Sequence, residues 1–320
     1  MRALRGCGTL LSTPLPTRGY AVTQARISQR AIALAFSTLL LAGACAKSDD
    51  NPTLSPPSGS TSPTAESLFA KLPARIQASK LVKVASDAAY PPIESVEGGK
   101  IVGLDPDIAD ALGKKLGVSF VFTATGFDGI IPALKAQRFD VVMSAMTDNA
   151  DRRKQIDFVD YFSAGTAIIV KKGNPQGIKS LDDLCGKTIA VQKGTVQVDI
   201  ATKQQAKCGS NKIVIKTFPK DTDALLQVRN GRAVADMNDL PVAVYTATTS
   251  GGGNDFEVVA GQQYEAGPYG IGVRKDDTQL RDAIQAALKA IIDDGSYDQI
   301  LAKWNVTSGA LKDASINGGS

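Results

Sequence analysis

The sequence predicts an α/β protein. Short apolar runs of strand length alternate with segments of helical periodicity between residues 81 and 143, and the alternation starts again after Gly165. A chain of 320 residues has room for two such units. Strands that alternate with helices form a parallel sheet with crossover connections. We therefore expect ligands to bind beyond the carboxyl ends of the strands.

The first unit begins with an alternating strand over 81–86, which runs into an extended turn from Asp87 to Pro92. A helix starts near Asp105, which we interpret as its N-cap, with Pro106 in the first turn. The elements that complete the unit are a strand over 118–122, a helix after Phe127-Asp128-Gly129 with Asp128 as its cap, and a strand over 141–143.

The second unit is predicted to contain strands over 166–170, 187–191, 213–217, 234–237 and 256–259, and helices over 180–184, 194–206, 221–229 and 238–246. A last strand over 269–273 and two helices over 277–292 and 296–304 follow. The segment after Val306 is polar, so residues 307–320 are predicted to form a flexible tail.

Composition excludes several classes of protein. The formal charge of +4 comes from the leader: five of the 36 basic residues precede residue 45 without an acid among them, so 31 basic and 32 acidic residues remain. A basic patch for nucleic acid is therefore not expected. The chain has no histidine and four cysteines, which removes His-based catalysis, His metal ligands and thiolate clusters. We predict no metal, no cofactor and no catalytic residue.

The N-terminus has the pattern of an export signal. Residues 31–44 are apolar, uncharged and preceded by arginines, which is typical of a signal peptide over residues 1–44. Small residues precede Cys45, so we predict a lipoprotein whose cysteine is acylated; Ala42-x-Ala44 permits ordinary cleavage and a soluble secreted form instead. Residues 45–65, rich in Ser and Pro, are predicted to be a lipid-anchored tether. The protein is expected to be periplasmic or at the cell surface.

One stretch carries a binding signal. The run FDVVMSAMTDNADRRKQIDFVDY begins with an apolar strand, continues with small residues and then reaches Arg152. Small residues let a ligand approach the backbone, and an arginine can grip a carboxylate with two hydrogen bonds. The alternative is a surface turn in which Arg152, Arg153 and Lys154 are all solvated.

The body from about Leu81 to Val306 resembles the extracytoplasmic solute-binding proteins of polar amino-acid ABC transporters. The resemblance is carried in order by VASDAAYPP, GLDPDIADAL, FDGIIPAL, FDVVMSAMTDNADRRKQIDF, DLCGKTIAVQKGT and Asp239-Leu240-Pro241. It implies a two-lobed periplasmic-binding-protein-like type II fold with mixed sheets flanked by helices and two crossover hinge strands. Lobe 1 would comprise residues 66–163 and 269–306, and lobe 2 with the hinge segments residues 164–268.

The resemblance also implies roles at the ligand's amino-acid end. Arg152 matches the arginine that holds the α-carboxylate, together with the backbone amides of Gly194-Thr195 at a helix start. Asp239 matches the acid that pairs with the α-ammonium, helped by the Thr147 hydroxyl and a carbonyl near Ala145. The ligand's α-carboxylate and α-ammonium would thus each contact both lobes, so that the bound solute stabilises the closed form.

The ligand's side chain would lie between aromatic rings, with polar groups at its end. Asp87 is ionised and position 192 is Gln rather than Lys, so we expect a polar or cationic side chain in preference to an acidic one. The further residues expected at this end of the cleft are Asp87, Tyr90, Phe127, Ser144, Gln192 and Asn238.

Function and oxidation state follow as expectations. We predict a monomeric receptor, not an enzyme, that captures a free amino acid and delivers it to a membrane permease; a cyclohexadienyl dehydratase on the same fold is the alternative. A sensor domain would need a membrane helix after Trp304, and the sequence offers none. Export to an oxidising compartment favours a disulfide between Cys185 and Cys208 over two buried thiols.

Overall fold

The computed structural model describes residues 65–261 and 263–319 of the chain. The predicted signal peptide, Cys45 and all but the last residue of the tether lie outside this range. Within it, every helix is too short or too polar to cross a membrane.

Strands and helices alternate along most of the body. The strands are β1 (Leu81–Ser86), β2 (Ala89–Tyr90), β3 (Glu94–Glu97), β4 (Lys100–Val102), β5 (Ser119–Ala124), β6 (Val141–Val142), β7 (Ile156–Lys171), β8 (Thr188–Gln192), β9 (Val214–Phe218), β10 (Ala235–Asp239), β11 (Phe256–Val258) and β12 (Tyr264–Arg274). The helices are α1 (Ala65–Phe69), α2 (Ala74–Ser79), α3 (Leu104–Leu116), α4 (Ile130–Lys135), α5 (Ala150–Arg153), α6 (Val196–Lys207), α7 (Asp221–Arg229), α8 (Leu240–Thr249), α9 (Thr278–Asp293) and α10 (Ser296–Lys303).

Among the described residues, nine strands form one continuous mixed sheet in the order β5-β1-β6-β12-β7-β10-β8-β9, with β11 paired to β7. At one end β1 lies parallel to β5 and β6, and at the other β8 lies parallel to β9 and β10. Both groups are parallel, as the strand–helix alternation predicts. The sheet as a whole is mixed because β7 and β12 run antiparallel through its centre.

The two long strands β7 and β12 connect two lobes. The sequence suggested separate segments on either side of Gly165, but β7 is one strand of 16 residues. Its pairing with β12 shifts register between Tyr264 and Gly267, opposite Ala164. We call the part built on β1, β5, β6, α3 and α9 lobe 1, and the part built on β8, β9, β10, α6 and α7 lobe 2. Each half of the sheet thus carries its own helices.

Each lobe has its own hydrophobic core. In lobe 1, Ile108, Leu112 and Leu116 of α3 recur at helical spacing and are fully buried, as predicted. In lobe 2, Ile189 of β8 and Ile200 of α6 belong to a separate buried cluster. Because apolar burial stabilises each lobe independently, the lobes can keep their shape when their relative position changes.

Two predicted helix caps are wrong. Helix α3 begins at Leu104 after Gly103, and Asp105 is fully buried, where it accepts hydrogen bonds from Tyr161 Oη (2.5 Å) and Ala145 N (3.3 Å). Asp128 lies inside a short 3₁₀ turn and its Oδ2 is 2.9 Å from Lys193 Nζ of lobe 2. Both acids have tertiary partners, which sequence position alone did not indicate.

The flexible tail is also a wrong prediction over the described residues 307–319. Asp160 N donates to Ser315 O at 2.9 Å, and Asn317 N donates to Phe158 O at 3.0 Å. Ala314 is buried in the lobe 1 core. The tail is ordered because it pairs with an edge of β7 whose backbone groups need partners.

The predicted disulfide joins Cys185 and Cys208, with Cα atoms 5.5 Å apart. It closes a loop over a sequence separation of 23 residues that contains β8 and α6. In the chain-entropy account a loop of this size contributes on the order of 3 kcal/mol of stability. The whole contribution falls within lobe 2.

Candidate functional site

A narrow cleft with a cavity volume of about 20 Å³ lies between the lobes. Its walls come from segments that follow strands: Asp87 after β1, the Phe127 turn after β5, and Ser144 to Thr147 after β6. Parallel strands bring their carboxyl ends to one edge, which explains why these distant segments meet. The cleft is lined by Asp87, Ala89, Tyr90, Glu94, Phe127, Ser144, Ala145, Thr147, Arg152, Gln192, Thr195, Val196, Gln197 and Asp239.

Arg152 spans the cleft from lobe 1 to lobe 2. Asn149 Oδ1 caps the short helix α5 by accepting from Arg152 N at 2.9 Å. The guanidinium donates to Thr147 O (2.8 Å) and to Gly194 O (3.1 Å), and lies 5.4 Å from the centre of the Phe127 ring. Burial lowers the Arg152 pKa to about 10, so the group stays charged at neutral pH. A fixed, dehydrated cationic fork suits a carboxylate.

The two cations beside Arg152 face elsewhere. Arg153 Nη1 donates to Asn317 O at 2.9 Å, and Lys154 Nζ pairs with Asp151 Oδ1 at 2.6 Å on the surface. The alternative interpretation of the Arg-Arg-Lys run as a solvated turn therefore holds for Lys154 and not for Arg152.

Asp239 ends β10 and supplies the opposite charge from lobe 2. Its Oδ1 accepts from Gln197 Nε2 at 2.9 Å, and its Oδ2 accepts from the Tyr90 hydroxyl at 3.3 Å. Burial raises the pKa of Asp239 to about 6, although these hydrogen bonds and the charge of Arg152 oppose the shift. The carboxylate is therefore ionised at neutral pH at some cost in stability.

The cleft lining also includes two acids, Asp87 and Glu94. Gln192 Nε2 of lobe 2 donates to Asp87 Oδ2 at 2.5 Å, and burial raises the pKa of Asp87. Glu94 is 1% exposed and accepts from Ser144 Oγ at 3.1 Å. Burial and the nearby Asp105 raise the pKa of Glu94 well above its usual range. Both carboxyl groups belong to residues that line the same cleft as Tyr90 and Phe127.

The backbone at Ala145 is held in an uncommon conformation. Ala145 has φ of 44°, in the left-handed region that non-glycine residues seldom adopt. The buried Asp105 accepts its N–H and so fixes the orientation of this peptide at the cleft wall. The acid that we misassigned as a helix cap thus supports the site.

Ten of the twelve predicted site residues line the cleft; Gly194 and Asn238 do not. Gly194 contacts the site through its carbonyl, and a Cβ there would lie 3.2 Å from Asp128 Cα, so the lobes approach closely at this glycine. Asn238 donates to Asp236 Oδ2 at 3.2 Å. Side chains alternate along β10, so Asn238 faces away from the side that carries Asp239.

Sequence reasoning missed Glu94 and Gln197. Glu94 follows the Tyr90-Pro91-Pro92 turn, and Gln197 lies in the first turn of α6 after Gly194-Thr195. Both are polar residues within a few positions of predicted site residues, which was the available signal.

Two α/β lobes joined by two strands, with a buried polar cleft between them, define a solute-binding protein that closes around its ligand. Residues 82–307 match the family described as bacterial extracellular solute-binding proteins, family 3, and the chain belongs to this family. The resemblance inferred from the sequence motifs is confirmed.

Relatives of known function are named as binding proteins. The chain is 33% identical to the arginine-binding extracellular protein ArtP of Bacillus subtilis (strain 168), over 70% of this chain and 86% of the relative. The structure of an ancestral arginine-binding protein bound to arginine is 39% identical in sequence, covers 70% of this chain and 98% of its own, and gives a TM-score of 0.66. The structure of an ancestral arginine-binding protein bound to glutamine is also 39% identical, covers 71% of this chain and 98% of its own, and gives a TM-score of 0.65.

A third relative bears on the enzymatic alternative. An ancestral amino acid-binding protein, described as a precursor of cyclohexadienyl dehydratase, is 38% identical, covers 72% of this chain and 97% of its own, and has a TM-score of 0.65. This relative is named as a binding protein, as are the arginine-binding relatives above.

Asp239→Asn is expected to stabilise the ligand-free protein at neutral pH. Because burial raises the pKa of Asp239 from 3.8 to about 6, its ionisation costs stability as the pH rises through this interval. The variant should be more stable by on the order of 2 kcal/mol near pH 7, and the difference should vanish below about pH 4. Urea unfolding across this pH range measures the effect, with the exposed Asp110→Asn as control. Equal stabilities at every pH would contradict the assignment.

Proposed function

We propose that this protein is the receptor of an ABC importer for an L-amino acid with a cationic or polar side chain, with L-arginine as the first candidate. The observation that carries the proposal is that opposite charges from the two lobes, Arg152 on lobe 1 and Asp239 on lobe 2, line one cleft together with the carboxyl groups of Asp87 and Glu94. A zwitterion placed between them joins the two lobes.

The amino-acid end of the ligand meets complementary groups. The Arg152 fork would exchange backbone carbonyls for the α-carboxylate, which is a stronger acceptor. Asp239, held in place by Gln197 and Tyr90, would accept from the α-ammonium. Thr147 and Ala145 line the same cleft.

Charge balance supports a cationic side chain. With Glu94 protonated, the ionised lining groups are Asp87, Asp239 and Arg152, which sum to one negative charge. L-Arginine would neutralise the closed cleft, whereas L-glutamate would leave two negative charges without a counterion. Burial of uncompensated charge is costly, so glutamate is disfavoured.

Titration of the purified 66–320 body with L-arginine, L-glutamine and L-glutamate tests the ligand class. We expect affinities in the order arginine, glutamine, glutamate, and a gain of roughly 2.7 kcal/mol in stability at a hundred times the dissociation constant. Asp87→Asn should weaken arginine more than glutamine because it removes a charge. Tight glutamate binding, or no binding by any of the twenty amino acids, would refute the proposal.

Arg152→Ala is expected to raise the dissociation constant by about 10² to 10³-fold, since removing one partner of a buried charged contact costs roughly 2–5 kcal/mol. Arg152→Lys keeps the charge but loses the two-pronged hydrogen bonding of the guanidinium, so its dissociation constant should lie between those of the parent and the alanine variant. Calorimetry gives the constants, and Lys154→Ala serves as the control because its side chain is exposed. An Arg152→Ala protein with unchanged affinity contradicts the role.

We further propose that Cys45 carries a lipid anchor and that the protein delivers its ligand to a permease from the outer face of a membrane. The extracellular location in the name of the Bacillus subtilis relative is compatible with this. In cell fractionation, Cys45→Ala should move the protein from the membrane to the soluble fraction, and Cys7→Ala should leave it on the membrane. A parent protein found only in the soluble fraction decides for ordinary secretion.

A further inference from the structure

The C-terminal residues 310–319, which we call the strap, lie beyond the last residue of the family match at 307. They run along β7 on lobe 1, where Ile316 forms an antiparallel bridge with Val159. Asn317 exchanges hydrogen bonds with Phe158: its N–H donates to the carbonyl at 3.0 Å and its Oδ1 accepts from the amide at 2.8 Å. The strap is thus a built element of lobe 1.

The end of the strap is attached to the loop that carries Arg152. Gly319 N donates to Asp148 Oδ2 at 2.9 Å, and Asn317 O accepts from Arg153 Nη1 at 2.9 Å. Asp148 directly follows Thr147, whose carbonyl accepts from Arg152, and Arg153 directly follows Arg152. The two attachments therefore flank the guanidinium on both sides along the chain.

The attachment is close enough to require glycine. A Cβ at Gly319 would lie 2.2 Å from the backbone oxygen of Asp148, far inside van der Waals contact. The conflict is with backbone, so a rotamer change cannot relieve it. Glycine at position 319 therefore permits this close contact with the backbone of Asp148.

The strap also donates hydrogen bonds to a buried pair of acids, Asp148 and Asp160. Asp160 Oδ2 accepts from Ser315 Oγ and from Gly318 N, both at 2.8 Å. Asp148 is 1% exposed and Asp160 is fully buried, and their Oδ1 atoms have no hydrogen-bond donor among the described residues. Without the strap's donors, Asp160 would lose a hydrogen bond to its Oδ2, and Asp148 would keep its ion pair with Arg153, whose Nε lies 3.3 Å from Asp148 Oδ1. Residues 147–153 would then have to move to hydrate these buried carboxyl groups.

We propose that the strap positions loop 147–153 and thereby sets the affinity of the cleft for its ligand. The inference rests on the proposed role of Arg152 in holding the α-carboxylate. Gly319 and Asn317 are positioning residues: they contact the loop, and the loop presents the guanidinium. Without the strap, lobe 1 should remain folded, but the guanidinium of Arg152 should no longer be held in position.

The test compares Gly319→Val and a chain that ends at Ile316, which keeps Ala314 in the core, with the parent 66–320 body. Both variants should bind L-arginine at least about tenfold more weakly, a loss of roughly 1.4 kcal/mol. Both ligand-free variants should remain folded and unfold cooperatively, with a melting temperature no higher than the parent's because buried carboxyl groups lose hydrogen-bond donors. Amide hydrogen exchange of residues 149–153 should accelerate, a change that mere loss of contacts at the C-terminus does not produce. Lys312→Val, at an exposed strap position, is the matched control.

The outcomes separate the two proposals. If the parent binds none of the twenty amino acids, the proposed function fails, and exchange at 149–153 still tests whether the strap holds the loop. If the parent binds L-arginine and both variants bind with the parent's dissociation constant, the strap inference is overturned while the receptor proposal stands. Equal weakening by Lys312→Val also overturns it.

Discussion

The constraint on which the site depends is that two buried opposite charges are kept on separate lobes without neutralising each other. Arg152 and Asp239 attract across the cleft, yet the guanidinium is bound by carbonyls and the carboxylate by Gln197 and Tyr90. Each charge keeps hydrogen-bonding capacity for a ligand. A zwitterion can then hydrogen-bond to the guanidinium and to the carboxylate at the same time, which a direct ion pair between the two side chains would prevent.

The two lobes also contact each other directly across the cleft. Gln192 of lobe 2 donates to Asp87 of lobe 1, and Arg152 donates to the carbonyl of Gly194. A solute gains only the difference between its own contacts and these, so affinity depends on how weakly the lobes bind each other. The exposed Lys193–Asp128 pair adds little to that balance because solvent screens it.

Periodicity predicted most of the fold, because α3 and the parallel strands follow local patterns that survive burial. It did not predict that β7 continues through Gly165, since a glycine there looks like a break. Position after a strand indicated Asp87, Phe127 and the segment from Ser144 to Thr147, whereas the other cleft residues were assigned from the resemblance to the family. Strand alternation could have excluded Asn238, whereas the buried role of Asp105 and the order of the polar tail depend on tertiary partners that no local pattern encodes.

The Cys185–Cys208 bridge lies wholly within lobe 2 and does not cross β7 or β12. It ties down the far end of α6, the helix whose first turn presents Gln197 toward Asp239. The disulfide therefore stiffens the part of lobe 2 that supports α6, and it does not restrain bending at β7 and β12. Reduction of the disulfide would therefore make lobe 2 more flexible without changing how the two lobes move relative to each other.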